Sequence, residues 1–162
     1  MSSEKYSLIT TNEIVSLVEA HNLFITTGGA QGNVASLVKL MLDNADLANL
    51  NLSEIDINGS LFRNCRFMAC NFSGTRFSDN LFEKCDFRNS NLIKASFYQD
   101  SFQDANFSFA NLSRVIFVKA DLSGANFSKS NLVGAIFDKC NLKNAAFDEN
   151  SSEMAKFKDC EY

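Results

Sequence analysis

One histidine, five cysteines, a glycine-rich loop and one carboxylate at an inward position are the residues of this 162-residue chain that chemistry would draw on first. His21 is the sole histidine. An imidazole works as a general base when a hydroxyl or thiol nucleophile stands beside it. The sequence places none near His21, so it reads as a helix histidine, packed or solvent-facing. Cys65, Cys70, Cys85, Cys140 and Cys160 include no CxxC pair, the spacing on which zinc and redox sites usually rest. Gly28-Gly29-Ala30-Gln31-Gly32 lacks the Lys and Ser/Thr of a phosphate loop and the spacing of the dinucleotide fingerprint, so it reads as a turn. No catalytic, metal or cofactor set emerges, and the expectation is a non-enzymatic protein without a cofactor.

The elements that position these residues follow one rule. From Leu37 to Tyr162 an apolar residue returns at every fifth position, and Ser152 is the one exception among 26 centres. A helix would drift through 140° per repeat, since five residues turn through about 500°. A straight strand would send alternate centres to opposite faces. Three extended residues and a two-residue corner keep every centre inside, and the result is a solenoid. The position two before each centre is Ala, Cys, Ser or Thr in 19 of the 26 repeats, as close packing beside a large side chain requires. All five cysteines fall there, as small hydrophobes. At 20 residues per coil, Cys65 with Cys85 and Cys140 with Cys160 lie within disulfide reach, but the odd number of thiols argues for free cysteines. Asn80 and Asp100 occupy the same inward site on neighbouring coils. A buried carboxylate needs partners there, and each other, a corner amide or a water would serve.

Sorted by twenties, the centres form four columns. Phe77, Phe97, Phe117 and Phe137 belong to the first, Phe67, Phe87, Phe107 and Phe127 to the third, and the fourth is mainly Leu. Before the fourth-column centres stand Asn51, Asn71, Asn91, Asn111 and Asn131, whose amides can stack as in cross-β ladders. The segment from Asn150 onward admits a capping helix. Because Ala155, Phe157, Cys160 and Tyr162 stay in register, an imperfect last coil is the favoured reading.

The runs ANLSR, ADLSG, ANFSK, SNLVG and CNFSG resemble the A(D/N)LXX consensus of the pentapeptide-repeat family over roughly residues 35–162. The resemblance implies an all-β solenoid, a right-handed quadrilateral β-helix of about six coils with four pentapeptides each. Residues 1–34 read as a leader, with a capping helix over about 12–25 started by Thr11 or Asn12, then a Gly-rich turn. Such a helix covers the open apolar end of the first coil. The leader stretch EIVSLVEAHNLFITTGGAQGN resembles leaders of bacterial and phage members of the family.

The net charge of −4 shows no basic stripe of the kind nucleic-acid binders carry, and there is no apolar run of membrane-spanning length. With no secretory signal pattern either, the expectation is a soluble, cytoplasmic protein. Direct nucleic-acid binding and membrane insertion are not expected. Function is therefore sought in outward apolar residues. Ile93, Tyr98, Ile116, Val118, Val133 and Ile136 form the candidate interaction surface, and Met41, Leu61 and Leu81 a second stripe beside column two. The expected partner is a protein of unknown identity, or a second copy docking through the C-terminal coil or the Tyr98/Val118 face. The family resemblance also implies an alternative. Some members protect gyrase from quinolones by mimicking duplex DNA, and FRNCRFMACNFSG is similar to stretches in them, but the balanced charge and uninterrupted repeats here count against it. A bacterial effector or immunity role is a further alternative.

Overall fold

The computed structural model describes residues 6–162, so the first five residues of the expected leader lie outside the described residues. A short strand β1 (Ser7–Leu8) leads into helix α1 (Thr11–Thr26). The solenoid follows with β2 (Ser36–Val38), β3 (Leu40–Asp43), β4 (Asp56–Asn58), β5 (Leu61–Arg63), β6 (Arg76–Ser78) and β7 (Leu81–Glu83). It continues with β8 (Ser96–Tyr98), β9 (Ile116–Val118), β10 (Ile136–Asp138) and β11 (Lys156–Lys158). All strand pairs are parallel, and within the solenoid partners are 20 residues apart, as in Phe77↔Phe97 and Phe117↔Phe137. One side is a seven-stranded sheet, β2-β4-β6-β8-β9-β10-β11. The next is the four-stranded sheet β1-β3-β5-β7. The remaining sides are stitched by single bridges such as Asp46↔Arg66 and Asn51↔Asn71. About six coils at ~4.8 Å per coil make a four-sided rod ~29 Å long.

The corner is as regular as the centre. Every fifth residue from Lys39 to Asp159 has a positive φ, including the stretch around Ser152. That conformation costs an L-residue roughly 1–2 kcal/mol, offset by bonding to the neighbouring coil. Lys94 N–H, for instance, donates to Ser113 O at 3.1 Å, and Arg114 N–H to Val133 O at 2.9 Å. Proline, absent from the chain, has no N–H to give. The last coil is a true coil. β11 pairs with β10, and Phe157 stacks on Phe137 with centroids 4.8 Å apart, so no helix starts at Asn150.

Inside, Phe rings repeat at nearly the coil spacing. Phe77, Phe97 and Phe117 stack at 4.5 and 4.6 Å, and Phe67, Phe87 and Phe107 at 5.1 and 4.9 Å. Adjacent columns meet edge to face, as Phe97 does Phe102 at 90°, the geometry that ring quadrupoles favour.

Helix α1 is longer than the expected 12–25, and its cap is Thr10 rather than Thr11 or Asn12. Thr10 Oγ1 accepts from Glu13 N–H at 3.3 Å, and the Glu13 carboxylate accepts from Thr10 N–H at 2.7 Å. This is a capping box, written in the sequence as T-x-x-E. Those bonds from Thr10 hold the Glu13 carboxyl below its ordinary range. The helix buries Ile14, Val18 and His21 against the first coil. Gly32, at φ 77°, closes the loop so tightly that a Cβ would overlap the Ala20 carbonyl oxygen and the Phe24 amide. The glycine loop is therefore a packing turn. β1 was not foreseen, because two residues carry no periodicity to read.

Candidate interaction surface

The chemistry-bearing residues are all held by the frame. His21 is fully buried, with Nε2 3.0 Å from Ser53 O and Nδ1 3.2 Å from Ala35 N. An amide N–H can only donate, so Nδ1 accepts and Nε2 carries the proton to Ser53 O. His21 is a neutral clip between the helix and the first coils. His21→Ala leaves a buried donor and a buried acceptor unpaired, with an expected loss of about 2–4 kcal/mol in urea unfolding. A change below about 0.5 kcal/mol would remove the clip role.

Asn80 and Asp100 form a buried ladder with Ser60. Ser60 Oγ accepts from Leu40 N–H at 3.1 Å, Asn80 Oδ1 from Ser60 N–H at 2.9 Å, and Asp100 Oδ1 from Asn80 N–H at 2.9 Å. Asn80 Nδ2 also donates to Asp100 Oδ1 at 2.8 Å and to Ile57 O at 2.8 Å. The corners before Leu40, Ser60 and Asn80 form no turn bond to these amides, so each side chain supplies the acceptor from the next coil. The polar pair is thus structural. Asp100 Oδ2 is buried without a partner, and burial pushes the carboxyl up to about 7.

Cysteine fits the same inward site. Cys70 Sγ donates to Leu47 O at 2.9 Å and Cys140 Sγ to Phe117 O at 3.5 Å. All five thiols are free, and burial pushes those of Cys70 and Cys140 up to about 12, which makes them poor nucleophiles.

The asparagine stack is shorter than expected. Asn91 Nδ2 donates to Asn71 Oδ1 at 3.0 Å, Asn71 to Asn51 at 2.9 Å, and Asn51 to Asn22 on the helix at 2.8 Å. All five asparagine oxygens accept from the amide two residues on, as Asn71 does from Ser73 N–H at 3.1 Å, and Asn111 and Asn131 make that bond alone.

The outward residues fall as follows. β8, β9 and β10 align Tyr98 with Val118 on one row and Ile116 with Ile136 on the other, either side of the Phe97–Phe117–Phe137 ladder. Tyr98 and Ile116 are 44% and 40% exposed, and Val118 and Ile136 are half-buried. Ile93 and Val133 are half-buried on the preceding side, two coils apart with Ser113 between them. At the corner between Val133 and Ile136 stands Gly134, which has no side chain to divide them. The second stripe is corrected. Leu61 is only 5% exposed, because β5 lies in register between Met41 and Leu81. Met41 is half-buried, Leu81 is exposed, and β1 sets Leu8 opposite Met41.

Two surface features escaped sequence reasoning. Phe109 is 56% exposed at a corner, with Lys129 Nζ 5.6 Å from its ring centroid. Its place off the five-residue register was the available signal. The other feature is charge. Ion pairs couple neighbouring coils elsewhere, such as Arg66–Asp46 at 2.7 Å and Arg76–Asp56 at 2.8 Å. Lys94, Arg114, Lys119, Lys139 and Lys156 are exposed and make no ion pair among the described residues. All five border the side that carries Tyr98 and Ile116. The near-zero net charge of the repeats concealed this grouping, and sorting the charges by column would have revealed it. Among the described residues no cluster of His, Cys, Asp and Glu could hold a metal, and no helix is long and apolar enough to cross a membrane.

Comparison with known proteins bears on the fold. The model for pentapeptide repeats matches in eight copies, over residues 41–79, 70–108, 81–117 and 105–144. Among solved structures, a trypsin-treated variant of QnrB1, described as a plasmid-mediated fluoroquinolone resistance protein, is 22% identical with a TM-score of 0.55. That match covers 78% of this chain and 71% of QnrB1. A second trypsin-treated QnrB1 variant is 19% identical with a TM-score of 0.52, over 76% of this chain and 73% of the other. A pentapeptide repeat protein from the cyanobacterium Cyanothece 51142 is 14% identical with a TM-score of 0.46, over 79% and 88% of the two chains. No match to a curated protein was found by sequence.

Proposed function

The chain belongs to the pentapeptide-repeat family, and on that premise we propose that it is a non-enzymatic protein-interaction module whose partner surface is the side bearing Tyr98, Ile116, Val118 and Ile136, flanked by Ile93 and Val133. The observation that carries this reading is the register of β8, β9 and β10, which makes neighbours of apolar side chains far apart in sequence. Outward rows elsewhere on the rod are mostly polar, and contiguous apolar surface on a regular sheet marks a partner site. The partner is a protein, and self-association is one form of it. Phe157 at 40% and Tyr162 at 76% exposure make the last coil a second candidate contact for a homodimer. Tyr98→Asp with Val118→Asp is expected to abolish partner binding or self-association, measured by co-purification and analytical ultracentrifugation, without lowering the melting temperature by more than a few degrees. Association that survives the double substitution would refute this surface.

A second reading, modulation of gyrase by duplex mimicry, draws on the rod shape shared with QnrB1. Mimicry needs a dominant negative field, whereas here acids and bases pair from coil to coil. A supercoiling assay with and without a quinolone separates the two: salt-sensitive inhibition or protection supports mimicry.

A further inference from the structure

We infer that the Tyr98/Ile116 side docks an acidic amphipathic helix laid along the rod axis, an inference that rests on the interaction reading above. The charge pattern is the first observation. Lys94 and Arg114 line one corner of this side and Lys119 and Lys139 the other, with Lys156 one coil beyond Ile136. None has a carboxylate partner among the described residues, while bases elsewhere mostly do. Cations flank the apolar rows at both corners, and the one acid within the rows is Asp138, beside Val118. Nearby acids are few: Asp138 is engaged by Lys158 at 3.8 Å, and Asp79, Glu153 and Asp159 stand at the margins.

The dimensions favour a helix. One side of the rod is three extended residues wide, ~10 Å at ~3.3 Å per residue, which matches a helix of ~10–12 Å diameter. The coils from Tyr98 to Lys156 span ~14 Å at ~4.8 Å each, close to three helical turns of 5.4 Å. Apolar residues spaced by one turn meet Tyr98–Val118 and Ile116–Ile136, which are spaced by one coil. Carboxylates on the helix flanks then reach both basic corners. Lys119 Nζ now lies 5.6 Å from the Tyr98 ring centroid, a weak cation–π contact that an incoming carboxylate can replace. A polynucleotide fits less well, because three of the four central residues, Ile116, Val118 and Ile136, are aliphatic and the chain as a whole is anionic.

The test uses the whole chain and synthetic helical peptides of about 18 residues: one with a Leu/Phe stripe flanked by Glu, one with the same stripe flanked by Lys, and a scrambled Glu peptide. Binding is read by fluorescence anisotropy at low and high salt. The expected result is salt-sensitive binding of the Glu-flanked peptide alone, weakened at least about tenfold by Lys119→Glu with Lys139→Glu. Lys84→Glu, on a different corner, leaves it unchanged. If the Lys-flanked peptide binds instead and Tyr98→Asp abolishes that binding, the surface stands and the acidic partner class falls. Duplex DNA that binds and is weakened by the same two lysine substitutions also overturns the helix. If no peptide binds, or none responds to Tyr98→Asp, the acidic-helix inference falls, and the interaction reading is decided by the association of the Tyr98→Asp, Val118→Asp protein.

Discussion

Replacing Phe107 with alanine is expected to lower the unfolding free energy by about 3–5 kcal/mol. The ring is fully buried. It stacks on Phe87 at 4.9 Å and on Phe127 at 5.1 Å, and meets Phe102 edge-on at 5.2 Å. Truncation therefore loses apolar burial, two stacking contacts and a share of the edge contacts, and opens a cavity that regular coils cannot close without shifting their neighbours. In a solenoid each repeat is held mainly by the repeats beside it, so the loss concentrates in the coils around residues 87–127. Amide exchange should accelerate there first. Phe157→Ala is the internal control. That ring is 40% exposed at the last coil and stacks on one side only, so its loss should be a fraction of the Phe107 loss. Equal midpoints for Phe107→Ala and the unaltered protein in urea would refute the inward ladder.

Stability should also fall as pH rises through neutrality, and Asp100 should be the cause. Its folded carboxyl is raised from an ordinary value of 3.8 to about 7 by burial, with Asn80 as its bonding partner and Asp79 adding repulsion. The folded state therefore binds a proton that the unfolded state has released between about pH 4 and 7. The slope of stability against pH is negative in that window. The contribution is complete below about pH 4 and is lost as pH climbs through about 7, by on the order of 4 kcal/mol. Asp100→Asn keeps an oxygen for the Asn80 donors and removes the charge. The drop in urea midpoint between pH 5 and pH 8.5 should shrink accordingly. An undiminished drop in Asp100→Asn would mean that another group carries the dependence.

Both predictions rest on a frame that was largely readable from the chain. The five-residue period, the small inward companions and the Phe columns gave the solenoid, its coil length and the interior place of Phe107. The helix is visible in its apolar face, and the T-x-x-E box of Thr10 and Glu13 sets its cap ahead of Thr11 and Asn12. Three things were not readable. The fate of Leu61 depended on what stands one coil above and below it. Asp100 could be recognised as inward, but its role as acceptor for the Asn80 amide follows from a corner that forms no turn bond, and its unpartnered second oxygen from the surrounding packing. The bases bordering the Tyr98 side can be sorted by column, but which of them go without an ion pair depends on which reach a carboxylate one coil away.

By itself the sequence determined the repeating local geometry, because a residue's place in its pentapeptide decides whether it points in, points out or turns the corner. Tertiary structure decided which side chains bond as partners across the coils and between the helix and the first coils. It buried His21 between Ser53 and Ala35, joined the asparagine ladder to Asn22, and left the bases at the edges of the Tyr98 side without an ion pair among the described residues. The physical reason is that the coil-to-coil register converts distance along the chain into contact across about 5 Å, and the candidate function lies in those contacts rather than in any single repeat.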